Sequence, residues 1–117
     1  MPHIILEYSS NLGDDAALAK LLDKLHAALG HTESFESDRI KSRTLRCETY
    51  HVGKDRRGFI HATVLFSPGR PEGVRQELAK RMLDILMSDA TLGGADIAKS
   101  VEIRQFEPGM YITERDV

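Results

Sequence analysis

The sequence predicts a mixed α+β fold in which one βαβ unit is used twice, giving a four-stranded sheet with both helices on one face. Three observations point there. Two stripes of apolar residues recur at helical spacing, one around Leu18–Leu29 and one around Val74–Leu86. Each stripe lies between two runs of strand-forming residues, so the order strand–helix–strand occurs twice. A helix joining two strands of one sheet requires a parallel pair with a right-handed crossover. The chain of 117 residues is expected to be a single domain, residues 1–117, with halves at about 2–52 and 58–106 and a C-terminal arm.

Each element has a local reason. Pro2-His3-Ile4-Ile5-Leu6-Glu7-Tyr8 reads as the first strand. Proline is tolerated at a strand's first residue, where its missing N–H breaks no ladder bond. Asn11-Leu12-Gly13-Asp14-Asp15 supplies capping side chains and first-turn acids for a helix whose stripe is Leu18, Leu21, Leu22, Leu25 and Leu29, with Gly30 as its stop. A polar loop containing Phe35 leads to a second strand over 40–52, and Gly53–Gly58 forms a turn. Phe59-Ile60-His61-Ala62-Thr63-Val64-Leu65-Phe66 carries the strongest strand signal. Ser67-Pro68-Gly69-Arg70-Pro71-Glu72 opens the second helix, with Pro71 suited to a first turn. Its stripe is Val74, Leu78, Met82, Ile85 and Leu86, and Leu92-Gly93-Gly94 breaks it. Ser100 to Phe106 is the fourth strand, and Glu107 to Val117 a further short strand or an arm.

Composition excludes several classes. A net charge of −2 offers no general attraction to nucleic acid or anionic membrane. No apolar run approaches the ~20 residues of a membrane span, and no secretory signal is read at the N-terminus. The single cysteine, Cys47, excludes an intrachain disulfide and suits a reducing cytoplasm. There is no CxxC, HExxH or glycine-rich phosphate loop, and the five histidines share no metal-ligand spacing, so neither metal nor cofactor is expected.

Pro2 is the residue that points to chemistry. Methionine before a small second residue is open to enzymatic removal, which would expose a secondary amine anchored at the start of a strand. A free prolyl nitrogen is a compact base when its surroundings keep it neutral. Lys41 and Arg43, two apart and therefore on one strand face, and Arg70 at a helix start are charges whose task the pattern alone leaves open. A cation at a helix N-terminus is electrostatically disfavoured, so Arg70 invites a reason.

The segments Pro2-His3-Ile4-Ile5-Leu6-Glu7, Ile40-Lys41-Ser42-Arg43, Phe59-Ile60-His61-Ala62-Thr63, Gly69-Arg70 and Ser100-Val101-Glu102-Ile103, with Pro108 beyond, resemble in order and spacing the 5-carboxymethyl-2-hydroxymuconate isomerases of the tautomerase superfamily. The resemblance covers most of the chain. It implies a trimer whose sheets pack into a central barrel, which would also cover the sheet face the helices leave open. It implies cofactor-free proton transfer between carbons of an unsaturated 2-oxo or 2-hydroxy di- or tricarboxylate. Pro2 would be base and then acid, Arg70, Lys41 and Arg43 would hold carboxylates, and Tyr50 would supply wall and hydroxyl. The family usually has arginine at the position of Lys41, and lysine keeps the charge but not the forked geometry.

Simpler readings stand beside these. Lys41 and Arg43, with Arg39 and Arg46, also fit a solvated basic strand face. His61 fits a hydrogen-bonded core or interface histidine, His3 a strand surface or trimer contact, and Glu7 a partner for a cation across the sheet. Cys47 fits a small buried side chain. Competing functions are another N-terminal-proline reaction (hydration, dehalogenation or decarboxylation) and a non-catalytic ligand-binding module in which Pro2 is incidental. The expected partners are a small carboxylate substrate and two further copies of the chain.

Overall fold

The computed structural model describes residues 2–32, 35–92 and 96–117. Four strands and two helices occur in the predicted order: β1 (His3–Ser9), α1 (Asp15–Gly30), β2 (Lys41–Cys47), β3 (Gly58–Phe66), α2 (Glu72–Ser88) and β4 (Ile97–Gln105). The sheet order is β2-β1-β3-β4. Both crossover pairs, β1·β2 and β3·β4, are parallel, and the two halves meet through the antiparallel pair β1·β3.

Alternation decides which face is covered. Ile4, Leu6 and Tyr8 of β1 and Ile60, Ala62, Val64 and Phe66 of β3 are buried beneath the helices. Leu18, Leu21, Leu25 and Leu29 of α1 and Leu78, Met82 and Leu86 of α2 close over them. Each fully buried aliphatic side chain contributes about 1.5–3 kcal/mol relative to exposure. The intervening residues His3, Ile5, Glu7, Phe59, His61 and Leu65 lie on the uncovered face and are only half-buried. Asp14 caps α1 through its carboxylate, which accepts from the Ala17 N–H at 2.8 Å.

Two strand boundaries differ from the sequence expectation. The second strand stops at Cys47 rather than running to 52, because its partner β1 ends at Ser9, paired with Cys47. The fourth begins at Ile97, three residues before Ser100, because Ile97 pairs with Gly58 and is buried. The Arg57–Asp96 ion pair at 2.8 Å fastens that start. Leu92 closes a 3-10 turn (Ala90–Leu92), while the Gly93-Gly94 break lies outside the described residues. Beyond Gln105 the chain is an arm, not a strand. The Phe106 N–H donates to the Phe66 carbonyl at 2.9 Å, Gly109 turns the chain with φ +79, and the last residues form a 3-10 turn capped by Thr113.

Candidate active site

The start of β1, the end of β3 and the loops before β2 and α2 converge on one cleft of about 370 Å³, lined by Pro2, Phe35, Glu36, Arg39, Phe66, Ser67 and Arg70. Pro2 is buried at its inner side, and its carbonyl accepts the Lys41 N–H at 2.9 Å, so the first residue of the strand is already fixed by the ladder. The cleft joins an apolar wall of Phe35 and Phe66 to the charged side chains of Arg39, Arg70 and Glu36.

Arg70 is held by a local turn and an aromatic pair. Gly69, with φ +122, turns the chain just before it, a conformation side-chain-bearing residues rarely adopt. The guanidinium then lies over the Phe35 ring, 3.9 Å from the centroid, and 5.1 Å from that of Phe66. Its Nη1 donates to the Ser67 carbonyl at 3.3 Å. Burial pushes its pKa down from the usual guanidinium value. Phe35 and Phe66 themselves pack at 5.2 Å, so the aromatic pair forms a platform that presents the cation to the cleft.

The other residues singled out from the sequence are distributed differently. Lys41 lies beside the cleft in an adjoining groove with Asp38, Tyr111, Thr113 and Arg115, and Arg39 borders both spaces. Arg43 stands on the uncovered sheet face opposite Ile5 and donates from Nη1 to His3 Nδ1 at 3.0 Å. Tyr50 follows the far end of β2 and packs against Phe59, ring centroids 6.3 Å apart, so within one chain it is remote from Pro2. Pro2 and Arg70 therefore share one cleft, Lys41 lines only the adjoining groove, and Arg43 and Tyr50 line neither.

Arg39, Phe35, Glu36 and Ser67 complete the cleft. Arg39 ends a 3-10 turn (Ser37–Arg39), and its Nε contacts the Glu36 carboxylate at 2.9 Å. The only sequence signal for these residues is local: a lone aromatic in a polar loop and a cation next to the basic strand. Their convergence depends on the loop folding back over Phe66.

The remaining candidates have structural partners. His61 is half-buried, hydrogen-bonded to Ser100 at 2.7 Å and 3.7 Å from Glu102, which also binds Arg104 at 2.9 Å. Glu7 faces His61 in the ladder, and its charge raises the pKa of Arg104, after the larger effect of Glu102. Cys47 is partly exposed at the end of the edge strand β2 rather than buried. Arg46 points to the opposite face from Arg43, toward Asp15 and Glu48. The described residues contain no cluster of metal-ligating side chains, and no helix is long and apolar enough to cross a membrane.

A four-stranded mixed sheet in this order, with two helices on one face and a proline entering the cleft at the first strand, is the tautomerase-like fold. Solved structures share it. A 5-carboxymethyl-2-hydroxymuconate isomerase from Deinococcus radiodurans superposes with a TM-score of 0.82 at 24% identity, over 97% of this chain and 88% of that one. A macrophage migration inhibitory factor-like protein from Entamoeba histolytica superposes with a TM-score of 0.72 at 12% identity, over 97% and 95%. The chain belongs to the 5-carboxymethyl-2-hydroxymuconate isomerase family, whose profile matches residues 2–116. A relative from Escherichia coli, 5-carboxymethyl-2-hydroxymuconate Delta-isomerase, is 26% identical over 121 residues, covering 100% of this chain and 96% of its own length.

Proposed function

We propose that this protein is a cofactor-independent isomerase that moves a proton between carbons of an unsaturated 2-oxo or 2-hydroxy di- or tricarboxylate, working in the cytoplasm as a homotrimer. The observation that carries the reading is Pro2 sharing one cleft with Arg70 and a pair of phenylalanines. Once Met1 is removed, the prolyl amine takes the proton alpha to the carbonyl and, as its conjugate acid, returns it to the distal carbon of the same substrate. The atoms balance without a metal or a second reactant. A base works best when its pKa lies near the working pH. An ordinary prolyl amine is too basic, and the apolar wall with Arg70, Lys41 and Arg43 nearby pushes it down.

Arg70 suits one substrate carboxylate, its planar fork held by Phe35 and Phe66. Arg39, which lines both spaces, suits a second, and Lys41 adds its charge from the adjoining groove. Charge developing on the dienolate oxygen is stabilised by the same cations. Arg43 adds positive potential from the sheet face. Tyr50, remote within one chain, reaches a cleft only if a neighbouring copy brings it there.

The decisive assay uses the untagged, processed protein and 5-carboxymethyl-2-hydroxymuconate, followed by ultraviolet absorbance. We expect turnover that rises with pH through a single ionisation below that of free proline. The same protein carrying an uncleavable N-terminal extension should be folded and inactive. Full activity in the extended protein would remove Pro2 from the mechanism. Glu36 at the cleft gives hydration a specific claim, since water addition needs an acid near the reacting carbons. Product mass distinguishes them: isomerisation leaves it unchanged, whereas hydration adds one water.

A further inference from the structure

We infer that the C-terminal arm completes a second carboxylate subsite, in which Arg115 together with Lys41 seats the substrate carboxylate that the cleft leaves unmatched, so that Arg115 determines specificity for tricarboxylates. The inference rests on the proposed function. The substrate proposed there carries three carboxylates when its chain bears a carboxymethyl branch. The cations lining the cleft around Pro2 are Arg39 and Arg70. They match two carboxylates, and the third must reach beyond the cleft. The adjoining groove is open to it. That groove is as large as the cleft, about 370 Å³, and Arg39 lines both. Its other cations are Lys41, from the first position of β2, and Arg115, from the arm. Lys41 is also tied to the base. Its backbone N–H donates to the Pro2 carbonyl at 2.9 Å, so the groove begins one ladder bond from the residue proposed to move the proton.

The arm holds its cation in place. Tyr111 stacks on Phe106, ring centroids 4.3 Å apart, and its hydroxyl lies 2.8 Å from His3 Nε2. Beyond it, Thr113 caps the last turn. Its Oγ1 accepts the Arg115 N–H at 3.2 Å, while the Asp116 carboxylate accepts from the Thr113 N–H at 2.8 Å and from its hydroxyl at 3.3 Å. The backbone that carries Arg115 is therefore fixed on the groove before a ligand arrives, which lowers the cost of binding. Charge along the groove is balanced, since Asp38, Glu114 and Asp116 line it with the cations. Asp116 is engaged by the cap, and among the described residues neither Lys41 nor Arg115 forms an ion pair. A balanced groove does not gather anions from a distance. It holds one by direct donor contact, so it discriminates by whether a carboxylate reaches Lys41 and Arg115. The branch is remote from the carbons that exchange the proton. Its contact acts alike on bound substrate and transition state, and so appears in KM rather than in kcat.

The test uses the full-length processed protein and two substrates: 5-carboxymethyl-2-hydroxymuconate and 2-hydroxymuconate, which is the same chain without the branch. Arg115→Ala should lower the ratio of their kcat/KM values, branched over unbranched, roughly five- to tenfold, the size expected for one charge-assisted contact at an exposed site. The change should sit in the KM of the branched substrate. Arg115→Lys keeps the charge without the fork and should recover part of the ratio. Arg115→Gln, which lacks the charge but keeps most of the stem, takes the place of the alanine variant should that one fail to fold. A ratio within about twofold of wild type in the charge-free variant, an equal loss on both substrates, or a loss in kcat alone overturns the subsite. Wild-type protein that turns over neither substrate defeats the proposed function instead. Calorimetric titration with propane-1,2,3-tricarboxylate and with pentanedioate then decides the subsite by itself. The tricarboxylate should bind roughly five- to tenfold tighter, and Arg115→Ala should erase that margin, whereas equal binding of the two by wild type overturns the subsite.

Discussion

At the scale of single residues, the aromatic platform under Arg70 separates two contributions that a sequence shows as one charge. Arg70→Ala would remove the proposed charge-assisted contact to a substrate carboxylate, worth ~1.5–3 kcal/mol, so kcat/KM on a dicarboxylate should fall roughly 10- to 150-fold. Arg70→Lys keeps the charge but abandons the fork and much of the stacking on Phe35 and Phe66, so most of that loss should remain. Steady-state kinetics of the two variants check this, and a lysine variant as active as wild type would reduce Arg70 to a point charge. His3 makes a different prediction, about stability. Its folded pKa lies below 6.5, lowered by burial and by Arg43 and Lys41, so the unfolded chain binds the proton first as pH falls. Stability is then at full strength above about pH 6.5 and declines as pH drops below it toward the folded value. Denaturant titrations between pH 7.5 and pH 5 should show that decline, and it should be shallower in His3→Asn.

At the scale of elements, the junction of β1 and β3 leaves no room for a side chain at Gly58. A Cβ added to Gly58 would lie 2.5 Å from Ser9 Oγ and 2.9 Å from Asn11 Oδ1. Neither neighbour can yield cheaply. Ser9 is fully buried and its Oγ accepts the Phe59 N–H at 3.0 Å, while Asn11 Nδ2 donates to the Arg57 carbonyl at 3.0 Å. Gly58→Ala should therefore destabilise the chain by about 1–3 kcal/mol, read as a lower denaturation midpoint at an unchanged slope. The same elements show what a sequence can carry. Both helices and the strands β1 and β3 are legible because burying one face imposes a period on the residues themselves, as in Leu18-Leu21-Leu25-Leu29. The end of β2 is not, since its pairing stops where β1 stops, and that length belongs to the partner. Alternation puts Lys41 and Arg43 on one face but leaves open which face, because an edge strand with exposure on both sides lacks an apolar phase. Pro2 and Arg70 stand out from the sequence by position and by family resemblance. Phe35 and Arg39 join the cleft, and Tyr111 the adjoining groove, through tertiary folding of a loop and an arm whose local sequence has no period at all.

At the scale of the whole molecule, the sheet presents one finished face and one unfinished one. The helices cover Ile4, Leu6, Ile60 and Val64 completely, while Ile5, Phe59 and Leu65 are half-buried and Leu45 is 48% exposed on the other side. Apolar residues interleaved with His61, Glu102 and Arg104 suit a surface that pairs with copies of itself, through burial and matched charge together. The trimer is accordingly expected to seal this face, and sedimentation equilibrium at micromolar concentration should give three times the 13.1 kDa chain mass. Leu45 allows a sharper test. It faces Glu7 in the β1·β2 register, so Leu45→Lys places a cation beside an acid and should leave the single chain folded. Against a neighbouring copy, the same lysine would be desolvated in an apolar contact, which is costly without a buried partner. Leu45→Lys should shift the mass toward 13.1 kDa while the far-ultraviolet circular dichroism stays native. An unchanged assembly would mean that the edge of the sheet lies outside the interface. A wild-type chain that sediments as a monomer would mean that the open face meets water instead, and the oligomeric part of the proposed function would fall with it.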